Sequence, residues 1–432
     1  MGLHWIMTLR IDQRPFLTTI DVVAVAFAVY LVVRRPTVRW IVTALIGIGA
    51  GAALGFVVCW LLVDVLDIFG VDLSGITRMW VALAFAGLAL VVVNLWHSRW
   101  WRKVIAVAAV PVIVITAAAG INVDFGAYRN LNDAVGVNPY KVVTVGRVST
   151  PVHTSSIPTL SSWTPPATMP KAGRIRSVEI PPTVSNFAAR PATIYLPPAA
   201  LTANPPALPV LVTLAGQPGQ PSDMFTAGHL GTIMDAYATT HKGIAPIVIE
   251  PDQLSNPAHN PMCVDGPLGN SATYLLTDVV HWIKTHFRVM TAPNAWAING
   301  FSQGGTCAVQ FAAGHPDIFG TALAISSELG PTVGADTVQK GFDGSQARAS
   351  AAQPTALFAA HAPYKDSLIV FAVGAYDAKY LGFAQVLQQH ANRAGVQTKL
   401  LESPATAHDW NTVRYSLRVG VPMILPHMGL AP

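Results

Sequence analysis

The sequence predicts an α/β fold, with a mainly parallel central sheet covered by helices on both faces, preceded by a four-helix transmembrane segment. Four long apolar runs fill the first 120 residues, and strand-like and helix-like patterns alternate from Gly173 onward. A Gly-x-Ser-x-Gly motif lies between one strand pattern and one helix pattern. We therefore expect a membrane segment (residues 1–120), a linker rich in Pro, Ser and Thr (residues 121–172) and a folded domain (residues 173–432).

The composition points to a lipid bilayer as a partner and gives no reason to expect nucleic acid. Apolar residues make up 52% of the 432 residues and charged residues only 11%, against about 25% in typical soluble proteins. The first 120 residues hold nine basic and five acidic side chains, and the remainder holds eighteen and seventeen. The formal charge of +5 therefore belongs mostly to the membrane segment.

The four apolar runs have the lengths expected of membrane-spanning helices. A hydrocarbon core needs about 20 apolar residues per helix. Three runs fit this length, and the fourth reaches it only when residues 120–123 are included. The succession of four argues against a cleaved signal peptide. The runs are Phe16–Val33, Ile41–Val63, Met79–Trp96 and Val104–Ala119.

The charges between the runs predict the orientation. The first and third loops are basic and the second is acidic, and basic loops stay in the cytoplasm. We therefore expect a multi-pass protein of the cytoplasmic membrane with everything after residue 120 on the extracytoplasmic side, although the N-terminal Arg10 and Arg14 weaken this pattern. The loop charges are Arg34, Arg35 and Arg39, then Asp64, Asp67 and Asp72, then Arg99, Arg102 and Lys103.

The segment from Trp296 to Phe311 predicts a nucleophile. Apolar residues typical of a buried strand lead to Gly300-Phe-Ser302-Gln-Gly304, and an amphipathic helix pattern follows. This order is typical of the nucleophile elbow of α/β-hydrolases, where glycines permit the tight turn that exposes the serine. The alternative is a structural serine turn, since the chain contains 34 glycines.

A base and an acid are expected further along the chain. A serine hydroxyl needs both to become a nucleophile, and in this fold they follow in the order Ser, Asp or Glu, His. Asp377 follows the strand pattern Leu368–Val373, and His408 follows the strand pattern Lys399–Glu402. The sequence thus predicts Ser302 as nucleophile, Asp377 as acid and His408 as base.

Three other residues compete for these roles. His427 is an alternative base, although no strand pattern leads to it. Glu402 and Asp409 are alternative acids, but both lie close to His408 in the sequence. For Asp409 we instead expect a capping role at a helix that begins at Trp410.

The oxyanion of the reaction needs two backbone donors. One is the N–H of Gln303, which follows the nucleophile, and the other comes from the loop after the third strand. Pro218 in that loop has no N–H, so Gln217 is the candidate. The alternative for this loop is a simple Gly-Pro turn.

The cysteines leave one structural question open. Cys263 and Cys307 fall on the expected extracytoplasmic side, where disulfides persist, so they form either a bridge beside the active site or two buried thiols. No Cys/His spacing suggests zinc and no phosphate-binding loop is present, so no cofactor or metal is expected.

Residues 173–425 resemble the putative-esterase family of α/β-hydrolases, which includes antigen 85 mycolyltransferases, S-formylglutathione hydrolase (esterase D), feruloyl esterases and enterobactin esterase. The resemblance lies in four segments, and it implies the same triad and oxyanion donors. The sequence departs from the family pattern at Ala215, where His or Asp is frequent, and at Gln303, where Met is frequent. The segments are Ile194-Tyr-Leu-Pro-Pro198, Val210-Leu-Val-Thr-Leu-Ala-Gly216, Ala297-Ile-Asn-Gly-Phe-Ser-Gln-Gly-Gly305 and His408-Asp-Trp410.

The resemblance also implies an activity. A four-helix anchor followed by such a domain is similar to an arrangement in mycolic-acid-forming actinobacteria, which implies a serine esterase acting on acyl esters of cell-envelope lipids or glycolipids. Two alternatives stay open: an acyltransferase that moves acyl chains onto sugar hydroxyls, and a non-catalytic envelope scaffold. A transporter formed by the four helices lacks support, because they carry few polar residues.

Overall fold

The computed structural model describes residues 4–34, 37–96, 98–147 and 162–430. Arg35 of the first basic loop and residues 148–161 of the expected linker lie outside the described residues. By their contacts the residues form two compact units: Met1–Val137 with Ala407–Asn411, and Asn138–Thr406 with Thr412–Pro432. The expected division at residues 120 and 172 remains a prediction.

The first unit is helical. Four of its helices are long and apolar enough to cross a membrane, and the second of these, α3, continues into a π-helical turn, Leu61–Val65. The fourth run extends further than its apolar core, since α5 ends at Phe125. The helices of this unit are α1 (His4–Met7), α2 (Arg14–Val32), α3 (Val38–Trp60), α4 (Gly75–Leu95), α5 (Trp100–Phe125) and α6 (Leu131–Ala134).

Small residues allow α3 and α4 to approach each other closely. Cβ atoms at Gly51 and Gly55 of α3 would lie 2.6 Å from the Phe85 carbonyl oxygen and 2.9 Å from Phe85 Cβ, respectively. Such close backbone approach is how helices associate in lipid, where the hydrophobic effect between helices is weak. At one end of the bundle, Arg102 donates hydrogen bonds to the Tyr30 carbonyl and to Asn94 Oδ1, at 3.0 and 3.1 Å.

The second unit is built on an eight-stranded sheet with the strand order β1-β2-β4-β3-β7-β8-β9-β10. The pairs β1–β2 and β2–β4 are antiparallel, and the six strands from β4 to β10 are parallel. These strands are β1 (Arg174–Val178), β2 (Ala192–Leu196), β3 (Val210–Leu214), β4 (Ile247–Glu250), β7 (Trp296–Phe301), β8 (Thr321–Ile325), β9 (Leu368–Gly374) and β10 (Gln397–Ser403). Asp265–Gly266 (β5) and Gly269–Asn270 (β6) form a separate two-residue ladder.

Helices connect the parallel strands. Right-handed crossovers place them on opposite faces of the sheet, because the chain moves one way from β3 to β4 and the other way from β7 to β10. The α/β architecture expected from the sequence is therefore confirmed. The helices are α7 (Asp223–Thr226), α8 (Leu230–Thr240), α9 (Ser271–Thr273), α10 (Val280–His286), α11 (Gln303–Gly314), α12 (Thr337–Phe342), α13 (Gln346–Ala351), α14 (Pro354–His361), α15 (Ala378–Arg393) and α16 (Trp410–Ile424).

Two elements differ from their expected form. The apolar run Ile244–Ile249 predicts a strand, but β4 begins only at Ile247, because Pro246 cannot donate to a sheet ladder. The sequence pattern over residues 272–286 predicts one helix, but a π-helical segment, Tyr274–Val279, interrupts it between α9 and α10.

The strand order locates the functional edge of the sheet. From β3 the chain passes to β4, which lies on one side of β3, and from β4 to β7, which lies on its other side. The direction in which strands are added therefore reverses at β3. In open α/β sheets ligands bind at such a reversal, beyond the carboxyl ends of the strands. The loops after β3 and β7, which hold Gln217 and Ser302, are at this point.

Candidate active site

Ser302 occupies a strained turn between β7 and α11. Its backbone adopts φ 55° and ψ −116°, a conformation that L-residues with a side chain rarely adopt. The flanking glycines have no room for side chains, because a Cβ at Gly300 would overlap the Gly304 carbonyl and a Cβ at Gly304 would overlap the carbonyl of Ala215. The Ser302 N–H donates to the Ile325 carbonyl at 2.8 Å, which ties the turn to β8. This geometry is that of a nucleophile elbow.

The loop after β3 lies against Ser302. A Cβ at Gly216 would lie 3.2 Å from Phe301 Cδ1 and 3.5 Å from Ser302 Cβ, so the backbone here passes close to the serine. Gln217 follows Gly216, and its exposed side chain donates weakly to the Ala258 carbonyl at 3.4 Å. Gln217 thus follows directly after a close neighbour of Ser302, and its role as an oxyanion donor remains a prediction.

An ion pair fixes the loop after β3 at Gly219, the end farther from the strand. The Arg190 guanidinium donates to both carboxylate oxygens of Asp252, at 2.7 and 2.9 Å, and also to the Gly219 carbonyl at 3.1 Å. Asp252 is fully buried and additionally accepts the Leu254 N–H at 2.9 Å. A bidentate pair of this kind combines charge with fixed geometry, so the loop is held at both ends.

Two glutamines link the segments that carry the oxyanion candidates. Gln253 Nε2 donates to the Ala215 carbonyl at 2.7 Å and to Gln303 Oε1 at 3.1 Å, and both side chains are buried. Gln303 Nε2 in turn donates to Asn260 Oδ1 at 3.1 Å. No sequence motif identified Gln253, although it stands three residues after the carboxyl end of β4, on the functional edge.

The structure contains a disulfide between Cys263 and Cys307. Cys307 is on α11, which starts at the residue after Ser302, and Cys263 is on the loop that follows β4. Gln303 Nε2 lies 3.3 Å from Cys307 Sγ. The bridge therefore joins the loop after β4 to α11, which leaves the alternative of two buried thiols without structural support.

Asp377 and His408 lie on the two loops that follow β9 and β10. Asp377 is fully buried, and its N–H donates to the Gly374 carbonyl at 2.9 Å. The two loops are joined by backbone hydrogen bonds from Ala375 to Ser403 and from Tyr376 to Thr406, both at 2.9 Å. His408 is buried and belongs by contacts to the segment Ala407–Asn411 of the first unit.

The alternatives for the base and the acid lie elsewhere in the fold or have a structural role. His427 lies within hydrogen-bond distance of Thr321 Oγ1, at 2.7 Å, and Thr321 is the first residue of β8. His427 is thus at the amino edge of the sheet, opposite to Ser302. Glu402 is exposed on the edge strand β10. Asp409 Oδ1 accepts the Asn411 N–H at 2.8 Å, which confirms its capping role at α16.

Two glutamates near the carboxyl edge of the sheet have raised pKa values. Burial raises the pKa of Glu250, the last residue of β4, well above its ordinary value, and the nearby Asp223 adds to the rise. Burial also raises the pKa of Glu328, on the loop after β8, to about 7, while Lys379 opposes the rise. Neither residue was identified from the sequence, because both shifts come from desolvation in the folded chain.

Among the residues that the structure describes, no group of three His, Cys, Asp or Glu side chains is arranged to hold a metal ion. The groups that the structure brings together at the Ser302 turn are its hydroxyl, the backbone of the loop after β3 and the carboxamides of Gln253 and Gln303. A serine hydroxyl beside backbone donors is suited to acyl transfer once a base is within reach.

Comparisons with known proteins agree with this chemistry. A family model described as "Putative esterase" matches residues 188–422. An uncharacterized protein of Corynebacterium glutamicum is 33% identical over 353 residues, which cover 78% of this chain and 80% of that protein.

Solved structures of similar fold include two esterases. A ferulic acid esterase is 20% identical, with a TM-score of 0.49, and the match covers 59% of this chain and 98% of that one. An S-formylglutathione hydrolase from Agrobacterium tumefaciens is 17% identical, with a TM-score of 0.48, and the match covers 61% and 98% of the two chains.

Proposed function

The chain belongs to the Putative esterase family of α/β-hydrolases, and from this premise we propose that it is a membrane-anchored serine esterase acting on the extracytoplasmic side. Membership of the family makes it a carboxylic ester hydrolase. The anchoring, the side of the membrane, the catalytic residues and the substrate are the proposed parts. We propose acyl esters of cell-envelope lipids or glycolipids as substrates.

The proposed mechanism uses Ser302, Asp377 and His408. Ser302 Oγ attacks the ester carbonyl while the His408 imidazole takes its proton, and Asp377 holds the imidazole in the required tautomer. The oxyanion of the tetrahedral intermediate accepts hydrogen bonds from the N–H groups of Gln217 and Gln303. The intermediate collapses to an acyl-enzyme at Ser302, and His408 returns the proton to the departing alcohol.

A second nucleophile then releases the acyl group. Water activated by His408 gives the free acid, whereas a sugar hydroxyl gives a new ester and makes the protein an acyltransferase. Acyl transfer to an added sugar, measured against hydrolysis of the same ester, separates these two outcomes.

The observation that carries the proposal is the conformation of Ser302. A positive φ at a residue with a side chain costs free energy and persists only where the surrounding structure enforces it. Here the enforcement comes from glycines whose Cβ positions are blocked by backbone carbonyls. The turn places a hydroxyl at the first turn of the 12-residue helix α11, where the helix dipole favours a developing negative charge.

A fluorophosphonate probe tests the nucleophile in the full-length protein held in lipid nanodiscs. Labelling at Ser302 that disappears in Ser302→Ala supports the proposal. Ser326→Ala is the matched control, because Ser326 also follows a parallel strand and also has positive φ, at 45°. Absence of labelling in the folded wild type would instead favour the non-catalytic scaffold.

Four helices of sufficient length and apolarity support the anchoring. An anchored domain meets substrates that partition into the bilayer, which favours lipid esters over small soluble ones. The basic first and third loops support the extracytoplasmic side for the domain. Protease added to intact spheroplasts should remove the chain after residue 120, and full protection of that part would contradict the proposed side.

A further inference from the structure

Glu328 lies between the nucleophile and the acid in the order of the sheet. It is the third residue after β8, and β8 pairs with β7 on one side and β9 on the other, in parallel register. Ser302 follows β7 and Asp377 follows β9. The loop that carries Glu328 therefore leaves the sheet at the functional edge between these two residues.

Hydrogen bonds connect this loop to the nucleophile. The Glu328 N–H donates to Thr306 Oγ1 at 2.9 Å, and the Thr306 hydroxyl donates to the Ser302 carbonyl at 3.0 Å. On the other side, the Ser326 N–H donates to the Ala372 carbonyl at 2.7 Å. A single side chain thus links the backbone of Glu328 to that of Ser302, which fixes the position of Glu328 relative to the reacting hydroxyl.

The Glu328 carboxyl is half-buried, and it accepts no hydrogen bond from the residues that the structure describes. Three buried acids of this unit differ in this respect: Asp252 accepts from Arg190, Asp278 from Thr183, and Glu250 from the Met224 N–H. Because it is only half-buried, this carboxyl can accept hydrogen bonds from water, or from a ligand that displaces the water.

The strand order indicates which half of an ester would meet this carboxyl. The oxyanion loop follows β3, on one side of Ser302, whereas the loops with Glu328, Asp377 and His408 follow β8, β9 and β10, on the other side. In the proposed mechanism the carbonyl oxygen faces the oxyanion loop and the departing oxygen faces the base. The alcohol half of the ester therefore leaves on the side of Glu328.

We infer that Glu328 binds hydroxyl groups of the alcohol half of the substrate, so that esters of polyhydroxylated alcohols are preferred over esters of simple alcohols. This inference rests on the proposed function and specifies its substrate class. A carboxyl group can accept hydrogen bonds at both oxygens, which suits neighbouring hydroxyls. Lys379, whose charge acts on the same carboxyl, disfavours a cationic alcohol there.

Three butyrate esters, of ethanol, glycerol and choline, test the inference with full-length protein in nanodiscs. A site built to bond a hydroxyl discriminates strongly against analogues that lack it. We expect Glu328→Ala to lower kcat/KM for the glycerol ester about 10- to 100-fold and to change that for ethyl butyrate by less than about threefold. Glu328→Gln should retain part of the preference, because an amide still bonds hydroxyls.

Glu179→Gln is the control, since Glu179 is an exposed glutamate next to β1 on the far edge of the sheet. Equal losses on all three esters would show a structural role and overturn the inference, as would a selective loss on the choline ester. Failure of the wild type to cleave any of the three esters while Ser302 is labelled by fluorophosphonate would also overturn it. Absence of fluorophosphonate labelling at Ser302 in the wild type would contradict the proposed function itself.

Discussion

The side chains of Gln253 and Gln303 are hydrogen-bonded to each other, with Gln253 Nε2 3.1 Å from Gln303 Oε1. The same nitrogen donates to the Ala215 carbonyl at 2.7 Å. The two proposed oxyanion donors are the N–H of Gln303 and that of Gln217, two residues after Ala215. One buried carboxamide therefore joins the backbone after β3 to the side chain of Gln303, whose N–H is the other proposed donor.

Gln253→Ala is expected to lower kcat with little change in KM. Loss of the carboxamide leaves the Ala215 carbonyl without this donor and lets the two segments shift. Complete loss of an oxyanion donor costs about 10²- to 10³-fold in kcat, so we expect about 10- to 100-fold for a displacement. Steady-state hydrolysis of one ester by both proteins measures the effect. The control is Gln385→Ala, at an exposed position of α15. An unchanged kcat would mean that the pair is only structural.

His408→Ala should reduce kcat by about 10⁴-fold or more, as removal of a triad member does. His427→Ala is the matched comparison, because His427 is at the amino edge of the sheet beside Thr321 and Asp366. It should retain activity close to that of the wild type. Turnover near normal in His408→Ala, or loss of turnover only in His427→Ala, would reject the assignment of the base.

Gly304→Ala should destabilise the fold and disturb the elbow. The added methyl group would overlap the carbonyls of Leu214 and Ala215, and overpacking of a tight site costs about 1–3 kcal/mol. Gly382→Ala in α15 is the control, since a Cβ there meets no atom within 4 Å. Replacing Gly by Ala inside a helix raises the free energy of unfolding by about 0.5–1 kcal/mol. Thermal unfolding in nanodiscs should shift in opposite directions for the two variants, and equal shifts would contradict the packing argument.

Glu328 should make stability depend on pH. Because burial raises its pKa in the folded chain to about 7, its contribution to stability is fully present below the ordinary pKa of 4.5 and is lost as the pH rises through about 7. Glu328→Gln stays neutral, so it should be as stable as the wild type at low pH and more stable at high pH. After a discount for partial exposure we expect a difference on the order of 1–2 kcal/mol.

Unfolding temperatures of the two proteins at pH 4 and pH 8 measure this effect. Glu402→Gln removes an exposed glutamate on β10 and should show no such dependence. A constant difference between Glu328→Gln and the wild type across this range would contradict the shifted pKa.

Sequence patterns predicted most of the sheet because its strands are short, apolar and bounded by turns. Their prediction failed in detail at β4, where Pro246 delays the ladder, and in the interrupted helix between Ser271 and His286. The sequence predicted His408 as the base and kept His427 as an alternative. The strand directions then put His427 at the opposite edge of the sheet from Ser302.

The sequence alone determined the Ser302 turn, the four long apolar helices and the alternating α/β pattern. These features depend on residues that are neighbours in the chain: glycines two positions from the serine, and runs long enough to cross a bilayer. Only the tertiary structure decided that Gln253 meets Ala215 and Gln303 and that Arg190 holds Gly219. It also decided that Glu328 is half-buried and linked through Thr306 to the backbone of Ser302. The reason is the strand order β4-β3-β7-β8-β9, which brings together loops that are far apart in sequence.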